Sequence, residues 1–381
     1  MQRRQKSSTR KDNMRIGIDA RMLGKGYGIG RYVEQLILQL EKKETPHEFV
    51  VFLRKENWDL WTPKQSNWTK VLADIAWYSV KEQTALPSIL KAQSLDLMHF
   101  PHFNVPLLYT DPFVVTVHDL TMYHFPRPEA TTLGPIAYAI KDRLHRLIVR
   151  SAVKKAKHIF TTTEFTKQDI ADTLKVPKEK MTVTYQAPFE ETMDEVSNTI
   201  LPSPKYMLYV GAAYPHKNVL GLLRAWEIFE EEYGMEEYTL VLAGKPGPFY
   251  DSILASTEFA ACAHVTYLGR VSDVDMPDLY SNATAFAFPS LYEGFGLPPL
   301  EAALHGTPVV CSNRSCLPEV VGEGAMFIDP ENPRQFADAL GQVASNMDLQ
   351  HELVRAGERN VQRFSWETLA KETLAVYERL S

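Results

Sequence analysis

The chain has little cysteine, no long apolar run and no excess of positive charge, and each shortage removes a class of protein. Three cysteines in 381 residues, Cys262, Cys311 and Cys316, are too few and odd in number for a disulfide framework, so a reducing compartment is expected. Cys311 and Cys316 have no second ligand pair to complete a zinc site. No stretch of about 18 consecutive apolar residues occurs, so no transmembrane helix is expected. The formal net charge of −6 argues against a nucleic-acid binder. Residues 1–13 carry Arg3, Arg4, Lys6, Arg10 and Lys11 without an apolar core and read as a disordered basic tail, not a signal peptide.

What is present is a repeating pattern. The length exceeds one typical domain, and 45% hydrophobic residues suffice for two cores. Short apolar runs recur, each followed by a polar or glycine-bearing loop and then by apolar residues at helical spacing. Residues 14–20, 49–53, 95–100, 113–117, 158–162 and 181–185 read as strands of one unit. Residues 206–210, 238–245, 264–271, 285–288, 308–311 and 325–328 read as strands of another. Between them, 187–204 carries Pro188, Pro202 and Pro204 with little apolar sequence and reads as a linker. The expected fold is α/β, two doubly wound Rossmann-like sheets facing across a cleft, with domains at 14–190 and 200–365.

Ligands of such sheets bind off the carboxyl ends of strands. One stretch there stands out: strand 285–288, then Glu293, Gly294, Phe295, Gly296 and Leu297, then a helix bearing Glu301. Glycines let a ligand approach the main chain, and a helix start attracts anions. A carboxylate accepts both hydroxyls of a vicinal diol, so Glu293 and Glu301 suit a nucleotide-sugar. Ordinary helix capping explains the same residues without a ligand, and on local physics both readings stand.

The pattern Pro289-Ser290-x-x-Glu293-Gly294-Phe295-Gly296-Leu297-Pro298-x-Leu300-Glu301-Ala302 resembles the donor-site signature of retaining, two-domain (GT-B) glycosyltransferases. The family is the "group 1" one, family 4-like, which includes many bacterial mannosyl- and glucosyltransferases. The likeness continues through residues 305–310 and 318–322. It implies transfer of a hexosyl group, mannosyl from GDP-mannose as first choice, from a nucleoside-diphosphate sugar to a glycan or lipid-linked acceptor in cell-envelope polysaccharide synthesis. No metal or other cofactor is implied. The resemblance also implies that the last helix, about 366–381, crosses back onto the first domain.

Carried over residue by residue, the likeness gives His118, Glu293 and Lys217 catalytic roles. Donor contacts fall on Gly28, Gly30, His216, Lys217, Val271, Glu293, Gly294, Phe295, Gly296, Leu297 and Glu301, with Lys245 a weaker candidate. Acceptor contacts fall on His102, Asn104 and Asp119. Many relatives carry an arginine near residues 212–213 and another beside the lysine. Here Ala212, Ala213 and His216 stand there, so Lys217 and the helix start are expected to carry the phosphates, with partial help from His216.

Asp273 and Asp275 could suggest a metal pair, but Ser272 three residues before Asp275 reads as a helix cap. Residues 132–157 form a basic amphipathic segment with two readings: a surface lying on an anionic membrane, or a core-packed helix with a solvated charged face. The chain is expected in the cytoplasm, at the inner face of the cell membrane on the first reading. Two rival classes stay open, a nucleotide-sugar epimerase of similar architecture and an inert donor-binding partner of another transferase.

Overall fold

The computed structural model describes residues 13–24, 28–126, 134–189, 203–234 and 237–381. The basic tail, residues 25–27, the start of the basic segment and most of the linker lie outside them.

The apolar runs become parallel strands with helices against both faces, which is why they read as near-continuous Val, Ile, Leu and Phe. The first sheet holds β1 (Arg15–Asp19), β2 (Glu48–Leu53), β3 (Trp68–Leu72), β4 (Leu97–Phe100), β5 (Phe113–Val117), β6 (His158–Thr161) and β7 (Met181–Val183). Their order is β3-β2-β1-β4-β5-β6-β7. The second holds β8 (Tyr206–Val210), β9 (Thr239–Ala243), β10 (Val265–Gly269), β11 (Ala285–Phe288), β12 (Val309–Ser312) and β13 (Ala325–Ile328), ordered β10-β9-β8-β11-β12-β13. Chain order therefore reverses between β1 and β4 in one sheet and between β8 and β11 in the other. These are the two places where loops part and leave a crevice.

β3 is the strand that the apolar pattern missed. It lies at the sheet edge, with Trp68 buried and Thr69 and Leu72 exposed, so it needs no continuous apolar run.

The helix Trp366–Arg379 packs against the helix Ile29–Glu41 of the first sheet. Its Trp366 stacks on Phe189 and meets Tyr32 edge-on, so one hydrophobic core runs from the second sheet onto one face of the first. A buried polar chain locks this packing. The Tyr377 hydroxyl lies 2.5 Å from His99 Nδ1, His99 Nε2 lies 2.8 Å from Thr116 Oγ1, and Thr116 lies 3.1 Å from the Tyr32 hydroxyl. Burial drives the His99 pKa down to about 3, so the ring is neutral and each nitrogen needs a partner.

The basic helix Pro135–Lys155 divides between its two readings. Val149, Ala152 and Val153 are buried in the core of the first domain, whereas Ile136, Ile140, Leu144 and Leu147 are exposed. Among the described residues no helix is long and apolar enough to cross a membrane.

Tyr377→Phe leaves one buried nitrogen of His99 unpaired. It is expected to lower stability by about 1–3 kcal/mol, read as a fall in Tm by calorimetry; an unchanged Tm would show that the network contributes nothing.

Candidate functional site

Loops from the carboxyl ends of both sheets meet. In the second sheet the loops after β8 and β11 lie side by side at the switch point. Lys217 Nζ lies 2.5 Å from Glu293 Oε1, and the Leu291 N–H donates to the His216 carbonyl at 2.7 Å. Both loops end in left-handed residues that start helices, Asn218 at φ +55° before Val219–Tyr233 and Gly296 at φ +93° before Leu297–Leu304. Glu293 N–H donates to Ser315 Oγ at 3.0 Å, and Cys316 Sγ sits 3.2 Å from the carbonyls of Glu293 and Phe295, which pins the loop from below. Pro298 and Pro299 occupy the first turn of the second helix. They have no N–H, so this helix start offers fewer backbone donors than an ordinary one.

One turn on, Glu301 accepts from the Tyr280 hydroxyl at 3.0 Å. Burial raises its pKa, while Tyr280 and the nearby Arg31 guanidinium pull it back. Arg31 belongs to the first domain and pairs with Asp273 of the second at 2.5 Å. Asp275, not Ser272, is the N-cap residue of the helix Met276–Ser281; Ser272 Oγ accepts the Asp275 N–H at 3.2 Å and donates to its carboxylate at 2.6 Å in the turn leading into that helix.

The remaining donor-side residues are less exposed to a ligand. Phe295 is buried edge-on against Phe364, and the His216 ring is buried between Tyr214 and Phe125. Val271 and Leu297 are partly buried against the core. Gly28, at φ +86°, precedes the helix Ile29–Glu41, with no atom of the described residues within 4 Å of where a Cβ would point; Gly30 is buried in its first turn.

The first domain contributes His118 after β5. Its Nε2–H donates to the Pro101 carbonyl at 2.9 Å, and its Nδ1 accepts from the Gln186 amide at 3.1 Å. Burial depresses its pKa, so the ring is neutral and held in one tautomer. Gly294 packs on its main chain, for a Cβ at 294 would lie 2.3 Å from the His118 carbonyl oxygen. The Gly294 carbonyl accepts from the hydroxyls of Thr162, Thr163 and Thr166 at 2.8, 3.1 and 3.3 Å. Close by, the Glu319 carboxylate accepts the N–H groups of Glu164 and Phe165, at 2.7 and 2.9 Å, and so caps a first-domain helix from the second domain.

At the first switch point, between β1 and β4, a small cleft is lined by Asp19, Arg21, Ile29, Val33, His102 and Asn104, among others. His102 Nδ1 lies 2.7 Å from Asn104 Oδ1. A second small cleft beside it is lined by Asp119, Tyr123 and His145.

Comparison with known proteins identifies the family and the fold. A family model described as glycosyl transferases group 1 matches residues 191–360, and one described as glycosyltransferase family 4 matches residues 27–187. The chain is 31% identical over 295 residues to an O-antigen chain mannosyltransferase B of Escherichia coli, covering 74% of each. The chain belongs to the glycosyl transferases group 1 family. It is also 27% identical to the O-antigen chain mannosyltransferase RfbU of Salmonella typhimurium, over 72% of each chain. Among solved structures, the sucrose-phosphate synthase of Thermosynechococcus elongatus superposes with TM-score 0.72 at 17% identity, covering 96% of this chain and 99% of that one. HepE of Anabaena, solved with UDP and glucose, superposes with TM-score 0.69 at 16% identity, covering 96% and 99%. This group 1 member thus has the GT-B fold.

Within it, His118, Lys217, Glu293 and Gly294 converge across the cleft. Glu301 forms a separate cluster with Tyr280, Arg31 and Asp273. His102, Asn104 and Asp119 line the two small first-domain clefts. Sequence reading missed Asp19, Arg21, Arg31, Gln186 and Glu319 as site residues. Asp19 is the last residue of β1 and Arg21 lies two residues beyond it, so the strand-end rule that singled out His102 and His118 applied equally to them.

Gly294→Ala is expected to prop the cleft open by forcing its methyl group against the His118 carbonyl. Donor affinity should change little while kcat falls by about a hundredfold; wild-type kcat in steady-state assays would show that this contact is not part of the working state.

Proposed function

We propose that the protein is a retaining, metal-independent hexosyltransferase that moves a sugar, mannose by preference, from a nucleoside-diphosphate donor to a hydroxyl of a cell-envelope glycan. The observation that carries this is the loop bearing Glu293, joined to Lys217 and closed directly onto His118. Curated relatives named as O-antigen mannosyltransferases support the sugar and the pathway class, and make GDP-mannose the first donor to test.

The chemical difficulty is a departing diphosphate beside an oxocarbenium-like sugar. Lys217 meets the growing phosphate charge as a fixed cation, assisted by the start of the Leu297–Leu304 helix. Glu293 takes sugar hydroxyls, Glu301 takes the ribose diol, and His118 supports the reacting end of the sugar. The bond from the anomeric carbon to the phosphate oxygen breaks as the acceptor oxygen attacks the same face. The acceptor proton passes to the leaving phosphate, so no enzymatic nucleophile is required.

A donor panel tests this by thermal stabilisation in EDTA, since a ligand that binds the folded state raises Tm by mass action. GDP-mannose should stabilise the wild type, Glu301→Ala should weaken that shift, and Lys217→Ala should lower kcat by about a hundredfold or more. Acceptor-dependent release of nucleoside diphosphate marks the transferase. Conversion of the donor without an acceptor would mark an epimerase, and a donor shift without turnover an inert partner.

The helix Pro135–Lys155 supports a second element of the proposal, docking on an anionic bilayer. Ile136, Ile140, Leu144 and Leu147 recur at helical spacing and are 80, 63, 48 and 54% exposed. Lys141, Arg143, Arg150 and Lys154 surround them on the same exposed side, which matches an anionic headgroup layer around an apolar stripe. The protein should sediment with phosphatidylglycerol vesicles at low salt, and Ile140→Glu should release it; equal recovery of wild type and variant in the pellet would exclude the stripe.

A further inference from the structure

The signature loop carries one large side chain that the donor contacts leave unused. Tyr292, the residue before Glu293, is 6% exposed, and its contacts are with the other domain. Its ring packs against His124, Phe125 and Phe165, at centroid distances of 5.2, 5.9 and 5.6 Å. Its hydroxyl donates to Asp169 Oδ2 at 2.5 Å and accepts the Leu120 N–H at 3.2 Å. These partners all belong to the first domain.

Both bonds need a hydroxyl. Burial and the Asp169 carboxylate raise the Tyr292 pKa, so the group stays protonated and remains a donor. Asp169 is held ready to receive it: its carboxylate accepts from Thr173 Oγ1 at 2.9 Å, and each of its oxygens lies 2.9 Å from His124 Nε2. Leu120 is the N-cap residue of the short helix Thr121–His124, and the first N–H groups of a helix find no partner within it. Asp119 Oδ1 takes the Thr121 N–H at 2.7 Å, and Tyr292 takes the one before it.

Gly294 meets the same first-domain segment. Residues 292 and 294 thus contact residues 120 and 118, one through a hydroxyl and the other through a bare α-carbon. Glu293 lies between these two fixed points, and its carboxylate turns to Lys217 of its own domain. A peptide held on one side can swing, whereas one held on both sides keeps its distance from His118. Packing alone would be served by phenylalanine. The hydroxyl, with a first-domain partner for each of its roles, is what packing does not explain.

We propose that Tyr292 is a positioning residue of the transfer reaction, and that by bridging Leu120 and Asp169 it sets Glu293 in register with His118. This rests on the proposed glycosyl transfer and adds a residue to it. Tyr292 touches neither donor nor acceptor; it acts through the main chain of its neighbour. Lys217 and Glu301 belong to the second domain and do not depend on the bridge, so donor affinity survives its loss. The step that needs groups from both domains does not, since a misplacement of about 1 Å costs about a hundredfold in rate.

The test compares Tyr292→Phe with Tyr233→Phe in the full-length protein. Tyr233 also donates to a carboxylate, that of Asp338 at 2.9 Å, but within the second domain and at the far end of the helix Val219–Tyr233, so it controls for the loss of one tyrosine–aspartate bond. GDP release from GDP-mannose is followed with methyl α-mannoside as acceptor, and donor binding by the Tm shift. Tyr292→Phe should lower kcat by about ten- to a hundredfold, with the donor KM and the donor-induced Tm shift retained, whereas Tyr233→Phe should keep the wild-type kcat. Asp169→Ala added to Tyr292→Phe should cost at most about twofold more, because the bond they share is already gone. Hydrogen exchange reads the bridge without turnover: peptides spanning residues 118–124 should exchange about tenfold faster in Tyr292→Phe. Wild-type kcat in Tyr292→Phe, equal losses in the two phenylalanine variants, or fully additive losses with Asp169→Ala overturns the inference while leaving glycosyl transfer standing. If the wild type binds GDP-mannose without turning it over, exchange decides alone: faster exchange in Tyr292→Phe supports the bridge, and unchanged exchange overturns it. A wild type with neither donor shift nor turnover overturns glycosyl transfer, and the positioning role falls with it.

Discussion

The approach of one carbonyl group to one turn sets the rest of the site. The Gly294 carbonyl enters the Thr162–Thr166 turn, and only because residue 294 has no side chain can its α-carbon rest on the His118 main chain. Thr163 is also the N-cap of the helix Glu164–Leu174, and Glu319 from the other domain takes two of that helix's first N–H groups. The helix start is thus completed across the domain boundary. Opening the cleft would hand those donors to water, where they are satisfied again, so each bond contributes only about 0.5–1.5 kcal/mol to closure. Such an interface can hold the reacting groups in register and still release product.

The fold was legible because parallel strands covered by helices must be apolar along their whole length. Strands β5, β8, β11 and β13 begin and end where the apolar runs do. β3 escaped because an edge strand is half solvated. The donor loop was legible for a related reason: Glu293, the two glycines and Glu301 are contiguous, so local sequence holds the whole device. The charged clusters around it were not. Arg21 and Glu82 are 61 residues apart, and Arg31 and Asp273 lie on different domains. No local pattern joins them; only the sheet order does.

His118 shows the limit from another side. The histidine itself could be placed from its position after a strand, but the state of its ring could not. Burial makes it neutral, and Pro101 and Gln186, one on each nitrogen, fix its tautomer and orientation; Gln186 comes from the segment leading into the linker. A ring held this way is suited to supporting a sugar and poorly suited to shuttling a proton. That agrees with a mechanism in which the leaving phosphate receives the acceptor proton.

Ion pairs among the described residues of the cleft, Lys217 with Glu293, Arg31 with Asp273, and Arg21 with both Asp19 and Glu82, differ in what a ligand can do to them. Lys217 and Glu293 form a single contact between two part-exposed side chains. On the proposed reading a nucleotide-sugar brings its own anion for Lys217 and its own hydroxyls for Glu293, so the pair can be exchanged without stranding either charge. Arg21 cannot be exchanged in this way, since removing it would leave two buried carboxylates facing each other. On the proposed reading the donor side thus gains selectivity from charges that change partners, whereas the Arg21 cluster keeps one arrangement and shapes the end of β1.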